Sequence, residues 1–132
     1  MFERIIFKYL YNYFQANNLI TKKQSGFRPG DSTTNQLIDF VNDIHLSFDK
    51  KSSLEVRSVF LDISIAFDKV WHEGLIFKLQ QNGVDGSMLT LLSSYLSNRR
   101  QRVVLNGSNS EWASIESGVP QGSVLGPLLF II

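Results

Sequence analysis

The chain has 132 residues, 43% of them hydrophobic and 12% aromatic, with a formal charge of only +1 and no cysteine. That is enough apolar material for one core and unlike a disordered tail, while so small a charge means any nucleic-acid surface must be local. Disulfides and Cys-based zinc are excluded, His45 and His72 do not suggest a zinc site alone, and no apolar run reaches the roughly eighteen residues of a membrane span.

The start is apolar but interrupted by Glu3, Arg4 and Lys8, which makes a poor signal peptide. Phe2, Ile5, Ile6, Tyr9, Leu10, Tyr13 and Phe14 recur at helical spacing, predicting a helix over 2–15 that ends at Asn17-Asn18. Residues 20–32 hold Gly26, Pro29 and Gly30 among Lys22, Lys23 and Arg28, and read as an ordered basic loop. Ser32 or Thr33 is placed to cap a second helix, with Leu37, Ile38, Val41, Ile44 and Phe48 apolar and an end near Lys50-Lys51.

Residues 55–63 change to period two, with Val59, Leu61 and Ile63 on one side and Ser58, Phe60 and Asp62 on the other. This predicts a strand whose end presents a carboxylate. Leu75, Ile76 and Leu79 mark a third helix closed by Asn82-Gly83, and Met88, Leu89, Leu92 and Tyr95 a fourth over about 87–96. Residues 101–106 and 111–117 read as two short strands around Asn106-Gly107, with an open register. A last apolar segment begins at Ser123. With no internal repeat or linker, one mixed α and β unit is the simplest account. The apolar end Phe130-Ile131-Ile132 needs a cover, which favours an incomplete domain.

Several residue types carry chemistry, each with a plainer alternative. Asp62 at a strand end is suited to hold a divalent metal for phosphoryl transfer, or simply caps the next turn. Phe67 is a ring that could stand against C2′ of a sugar and exclude a ribose hydroxyl, or a core aromatic. Asp68 is a further ligand, a cap or an Arg partner, and structural support is favoured. In Gly118-Val-Pro-Gln-Gly122 the glycines permit close backbone approach, Pro120 stiffens the path, and Gln121 can donate and accept beside a nucleotide or template.

The segment Gly26-Phe-Arg-Pro-Gly30 could aim Arg28 at a triphosphate, with Lys22 and Lys23 on a nucleic-acid backbone; an exposed basic loop is the alternative. It is not an ATPase phosphate loop, because the terminal Gly-Lys-Ser/Thr is absent. Arg99, Arg100 and Arg102, with no acid between Asp85 and Glu111, suit phosphate contact, a solvated turn or contact with further chain. His72 beside Trp71 and Glu73 reads as support or a helix start, and no Ser-His-Asp arrangement is visible.

Three ordered blocks resemble the reverse transcriptase domain of non-LTR retrotransposons, particularly the jockey-like group. They are Ser25-Gly-Phe-Arg-Pro-Gly-Asp-Ser-Thr-Thr34, Phe60-Leu-Asp-Ile-Ser-Ile-Ala-Phe-Asp-Lys-Val-Trp-His72 and the stretch from Ser117-Gly-Val-Pro-Gln-Gly122 to Phe130. The resemblance covers nearly the whole chain. It implies an α+β fold, a partial fingers–palm of a right-hand polymerase with helices packed on an incomplete antiparallel sheet. Residues 1–54 are expected to be part of the fingers and 55–132 the first part of the palm.

The same resemblance implies that Asp62 is the first catalytic aspartate and a metal ligand, and Phe67 the sugar-discriminating position. It makes Gln121 and Gly122 the lining of the nucleotide and template site, and places Arg28 in a block associated with template or nucleotide contact. Asp31 stands where relatives often carry a basic residue. The family's paired aspartates are expected soon after Ile132.

The expectation is therefore a fragment of an RNA-directed DNA polymerase, using two Mg2+ ions, an RNA template, a DNA primer and deoxynucleoside triphosphates in the complete parent, and inactive alone. The rivals are a nucleic-acid-binding or structural relic, another polymerase class, and an unrelated metal hydrolase. The expected location is intracellular, in cytoplasm or nucleus, with no membrane partner.

Overall fold

A computed structural model of the chain describes residues 1–50 and 55–132. They form two compact units, one of Met1–Ile20 with Ile65–Ile132 and one of Thr21–Ser64.

The first unit is built on helices. Helix α1 spans Phe2–Ala16, α3 His72–Gln81, α4 Gly86–Leu96 and α5 Leu125–Ile131. On α1 only the row Ile6, Leu10 and Phe14, one residue per turn, is buried; Phe2, Ile5 and Tyr9 are exposed. That row joins Leu75 and Leu79 of α3, Leu92 and Leu96 of α4, and Leu125, Leu128 and Leu129 of α5 in one apolar core. Each fully buried leucine is worth about 1.5–3 kcal/mol.

The helix ends follow local chemistry. Asn17 donates its side-chain amide to the Tyr13 carbonyl at 2.8 Å, finishing α1. At the end of α3 the Gly83 and Val84 N–H groups donate back to Gln80 and Leu79, both at 3.0 Å, with Gly83 in the left-handed region. The Tyr13 hydroxyl donates to the Asn82 carbonyl at 2.9 Å and ties the two ends together. The third helix begins at His72, ahead of the apolar positions that announced it.

An antiparallel ribbon follows α4, but not as two continuous strands. Arg99–Gln101 (β1) pairs with Ala113–Ile115 (β4), and Val104–Leu105 (β2) pairs with Ser108–Asn109 (β3). The inner pair closes on a two-residue turn, Asn106-Gly107, with φ of 47° and 79°. Two consecutive positive φ values make the turn whose twist suits a tight hairpin. The expected strands 101–106 and 111–117 are thus corrected to a minimal hairpin interrupted by a bulge. Val103 and Ser110 face each other through two hydrogen bonds of 2.9 Å. Outside them Gln101 pairs with Ala113. Glu111 and Trp112 therefore both oppose Arg102, leaving one extra residue on the second arm.

In the second unit α2 spans Thr33–Lys50. Ser32 caps it, its hydroxyl accepting the Asn35 N–H at 3.1 Å, as its sequence position suggested. The expected end at Lys50-Lys51 reaches past the described residues. None of the α2 residues is buried. The Phe40 ring lies 5.6 Å from that of Phe60.

The strand expected over 55–63 is not formed. A strand needs a neighbour for its N–H and C=O groups, and among the described residues none pairs with this segment. Its alternating side chains stay in solvent, with Val59 80%, Phe60 81% and Leu61 92% exposed.

Candidate functional site

The best-ordered chemistry gathers where the 117–122 loop docks on residues 65–72 of the same unit. Ile65 sits in the left-handed region at φ 49° and ψ 44°, a costly place for a β-branched residue. Its carbonyl accepts the Asp68 N–H at 3.0 Å, which closes the 3₁₀ turn Ala66–Lys69. The loop then zips onto this turn. Gly118 N–H donates to Val70 at 2.8 Å, Val119 N–H to Phe67 at 2.8 Å, and the Ser117 hydroxyl to the Asp68 carbonyl at 2.9 Å. His72 Nε2 meets the Gly118 carbonyl at 2.6 Å.

Gly118 is required at this crossing. Its φ is +92°, and a Cβ there would lie 2.8 Å from the Asp68 Cα and 2.9 Å from its carbonyl oxygen. Buried Val119 then anchors the loop in the core. Beyond Pro120 the path turns so that Gln121 donates its side-chain amide to Asp68 Oδ1 at 3.2 Å. Gly122 has φ +77° and open space around it. Ser123 donates to the Pro120 carbonyl at 2.7 Å and accepts the Gly126 N–H at 2.9 Å, so one hydroxyl joins loop to helix.

The start of α5 is held from α1. Glu3 Oε2 accepts the Val124 N–H at 2.8 Å and the Leu125 N–H at 3.4 Å. A carboxylate suits the free N–H groups at a helix start. The Tyr95 hydroxyl donates to the other Glu3 oxygen at 3.4 Å. Burial, foremost, raises the Tyr95 hydroxyl above its ordinary value of 10.0.

An open cleft of about 570 Å³ is bounded by Asp68, Arg99, Gln101, Ser114 and Gln121. With Glu116 and Ser117 also on its wall, it offers one cation, two amides, two hydroxyls and two carboxylates, a lining suited to a polar ligand, with Arg99 placed to meet phosphate. Phe67 is half-buried and packed against the apolar core, its ring stacked on Phe130 at 4.7 Å and 16°.

The arginine trio predicted as one cluster makes different ring contacts, although Arg99 and Arg100 also line one open hollow with Glu73 and Glu116. Arg99 lines the cleft and lies over the Tyr95 ring at 5.3 Å. Arg100 and Arg102 instead approach the Trp112 ring at 5.8 and 4.7 Å.

In the second unit Arg28 donates to the carbonyls of Thr21 at 3.4 Å and Gln24 at 3.3 Å, which fixes the basic loop around it. Lys22 and Lys23 are exposed. Asp31 accepts the Ser32 N–H at 2.7 Å. That hydrogen bond, with others from Ser25 and Asn35 and the Arg28 charge, holds its carboxyl below the ordinary 3.8.

Asp62 belongs to the same unit and projects from its extended segment, exposed. As a hard oxygen donor it suits a divalent ion. Among the described residues no three His, Asp or Glu side chains gather as a metal site.

The sequence singled out Asp68 and Gln121 separately; their hydrogen bond was not legible, because nothing local links residues 53 apart. Trp112 was missed altogether. Its only signal is the odd number of residues between the two ladders, visible once the pairing is known.

The family described as reverse transcriptase (RNA-dependent DNA polymerase) matches residues 1–132. The probable RNA-directed DNA polymerase from transposon X-element of Drosophila melanogaster is 40% identical over 132 residues, all of this chain and 14% of the relative. The RNA-directed DNA polymerase from mobile element jockey of Drosophila funebris is 39% identical, and the probable RNA-directed DNA polymerase from transposon BS of Drosophila melanogaster 38%, each with the same coverage. The chain thus spans 14% of the length of these curated relatives. No solved structure matches it.

Proposed function

Because the chain belongs to the reverse transcriptase (RNA-dependent DNA polymerase) family, in its non-LTR retrotransposon branch, we propose that it is a segment of an enzyme that extends a DNA primer with deoxynucleotides on an RNA template. Residues 1–54 serve as part of the fingers and 55–132 as the first part of the palm. Such an enzyme works inside the cell, in cytoplasm or nucleus.

The observation that supports this most is the Gln121 loop, zipped onto the turn that carries Phe67 and Asp68 beside an arginine-lined cleft. On this reading Gln121 and Gly122 border the incoming nucleotide and template, and Asp68 orients the Gln121 amide. Phe67 limits the space at the sugar. Arg99 faces phosphate from the ribbon; Arg28, Lys22 and Lys23 do so from the basic loop.

The family implies a divalent metal cation and a nucleic-acid template and primer. Two magnesium ions, when bound, would neutralise charge on the phosphoryl oxygens during transfer. Asp62 supplies one oxygen ligand. With no group of three such donors among the described residues, the 132 residues do not extend primers by themselves.

The test compares this chain with one extended through the paired-aspartate block, assayed with magnesium on RNA and on DNA templates. The longer chain should extend a primer on RNA, and Asp62→Ala should abolish it. Extension by the 132-residue chain, or an unaffected Asp62→Ala rate, overturns the reading; extension on DNA templates alone moves the chain to another polymerase class.

A further inference from the structure

The ribbon carries two different faces. Arg99 and Gln101 look into the Gln121 cleft, whereas Arg100 and Arg102 gather on Trp112. The bulge creates this second grouping. If the register of the inner pair continued outward, Arg102 would oppose Glu111 alone. The extra residue brings Trp112 opposite Arg102 and Ser114 opposite Arg100. An acid-to-base pairing is thereby replaced by an aromatic one, the kind of redirection bulges produce.

Nothing in the core explains the tryptophan. Trp112 is 50% exposed, and Val103, Val104 and Leu105 beside it are exposed as well. A large ring on a solvated ribbon gains little from burial there. Nor are the arginines neutralised. Glu111 is adjacent, and Glu73 and Glu116 share an open hollow with Arg99 and Arg100, yet among the described residues the only ion pair is Arg57 with Glu55, at 3.0 Å. Two guanidinium groups that lie over a half-exposed indole and have no ion-pair partner form a surface suited to one ligand class. Phosphates suit the cations, and an unstacked base suits the ring. A duplex, whose bases are already stacked, offers only the phosphates.

We infer that Arg100, Trp112 and Arg102 form a stacking platform for single-stranded nucleic acid. Given the polymerase reading, on which this assignment of the strand rests, the occupant is unpaired template. Stacking on Trp112 needs bases that are free of a partner, so the platform holds template that is not paired with primer.

The test uses the 132-residue chain with Trp71→Phe, leaving Trp112 as the sole indole. It is titrated with RNA and DNA single strands of about ten nucleotides and with a blunt duplex of the same sequence. Single strands should quench Trp112 fluorescence. Trp112→Leu should weaken single-strand binding about tenfold or more, Trp112→Tyr should retain most of it, and duplex affinity should change less than about twofold. Replacing Arg100 and Arg102 by Gln should lower the salt slope by about 1.4 for the single strand. Bound single strand without quenching, equal losses for duplex and single strand, or no binding at all overturns the platform. A longer chain that extends primers while Trp112 stays unquenched defeats the platform alone. One that quenches but never extends defeats the polymerase reading alone.

Discussion

His72 Nε2 lies 2.6 Å from the carbonyl oxygen of Gly118, 46 residues away. A carbonyl only accepts, so the imidazole carries its proton on Nε2 and donates it there. This bond joins the start of α3 to the docked loop, and the Gly118 N–H bond to Val70 holds the same residue from its other side.

Removing the imidazole leaves the Gly118 carbonyl without that donor in a partly buried place. His72→Ala should therefore cost about 1–3 kcal/mol in urea denaturation. His72→Gln, which keeps an amide donor, should recover part of it. Equal losses for both variants would show that packing, not the hydrogen bond, matters there.

Two glycines of the loop should respond unequally to alanine. Gly118→Ala meets both a left-handed backbone and the Asp68 main chain, and should cost about 3 kcal/mol or more. Gly122→Ala meets only the backbone preference and should cost about 1–2 kcal/mol. Thermal or urea unfolding of the pair checks the order; a reversal would place the close approach elsewhere.

Glu3 acts as a cap supplied by another helix. Glu3→Ala should destabilise the first unit by about 1–2 kcal/mol, and Glu3→Gln, which still accepts the Val124 and Leu125 N–H groups, by less. Slow hydrogen exchange at those two amides should be lost in Glu3→Ala, and its survival would assign their protection to burial.

Asp31 sets a pH dependence with a definite sign. Its folded carboxyl is held below 3.8, chiefly by the Ser32 N–H. The ionised form is therefore the one the fold favours. The associated stability is present above the ordinary carboxylate value and is lost as pH falls through the lowered folded value. A carbon-detected titration of Asp31 should show a midpoint below 3.8, and Asp31→Asn should remove the dependence. A midpoint at or above the ordinary value would contradict the hydrogen bond.

Asp62 should separate activity from stability. It is exposed in an unpaired segment, so Asp62→Ala should change unfolding free energy by less than about 0.5 kcal/mol. Circular dichroism melts of the two chains check this, and a large shift would reveal a structural role for the carboxylate.

The parts of this molecule that could be read in advance are those fixed locally. The α1 stripe, the Ser32 cap and the Asn82-Gly83 stop each depend on residues within about two turns, where periodicity and capping act. The segment 55–63 has the alternation of a strand, yet alternation does not supply a partner. Its pairing is a long-range fact that no window of sequence contains. The ribbon failed in another way: Asn106-Gly107 marked the turn, but the bulge at Glu111 and Trp112 depends on how the outer ladder aligns. At the site, Gln121 and Asp68 were individually visible as chemistry. Their meeting was set by Gly118 crossing the 3₁₀ turn, an event governed by packing.

The union of α1 with α5 also dictates an order of events during synthesis. Ile6, Leu10 and Phe14 emerge from the ribosome ahead of Leu125, Leu128 and Leu129, against which they cluster and which are made more than a hundred residues later. At about 5–20 residues per second, the first helix waits several seconds or longer without the α5 leucines that complete the cover of its apolar row. A nascent chain stalled before residue 125 should therefore recruit holding chaperones through α1, and release them once α5 has left the exit tunnel.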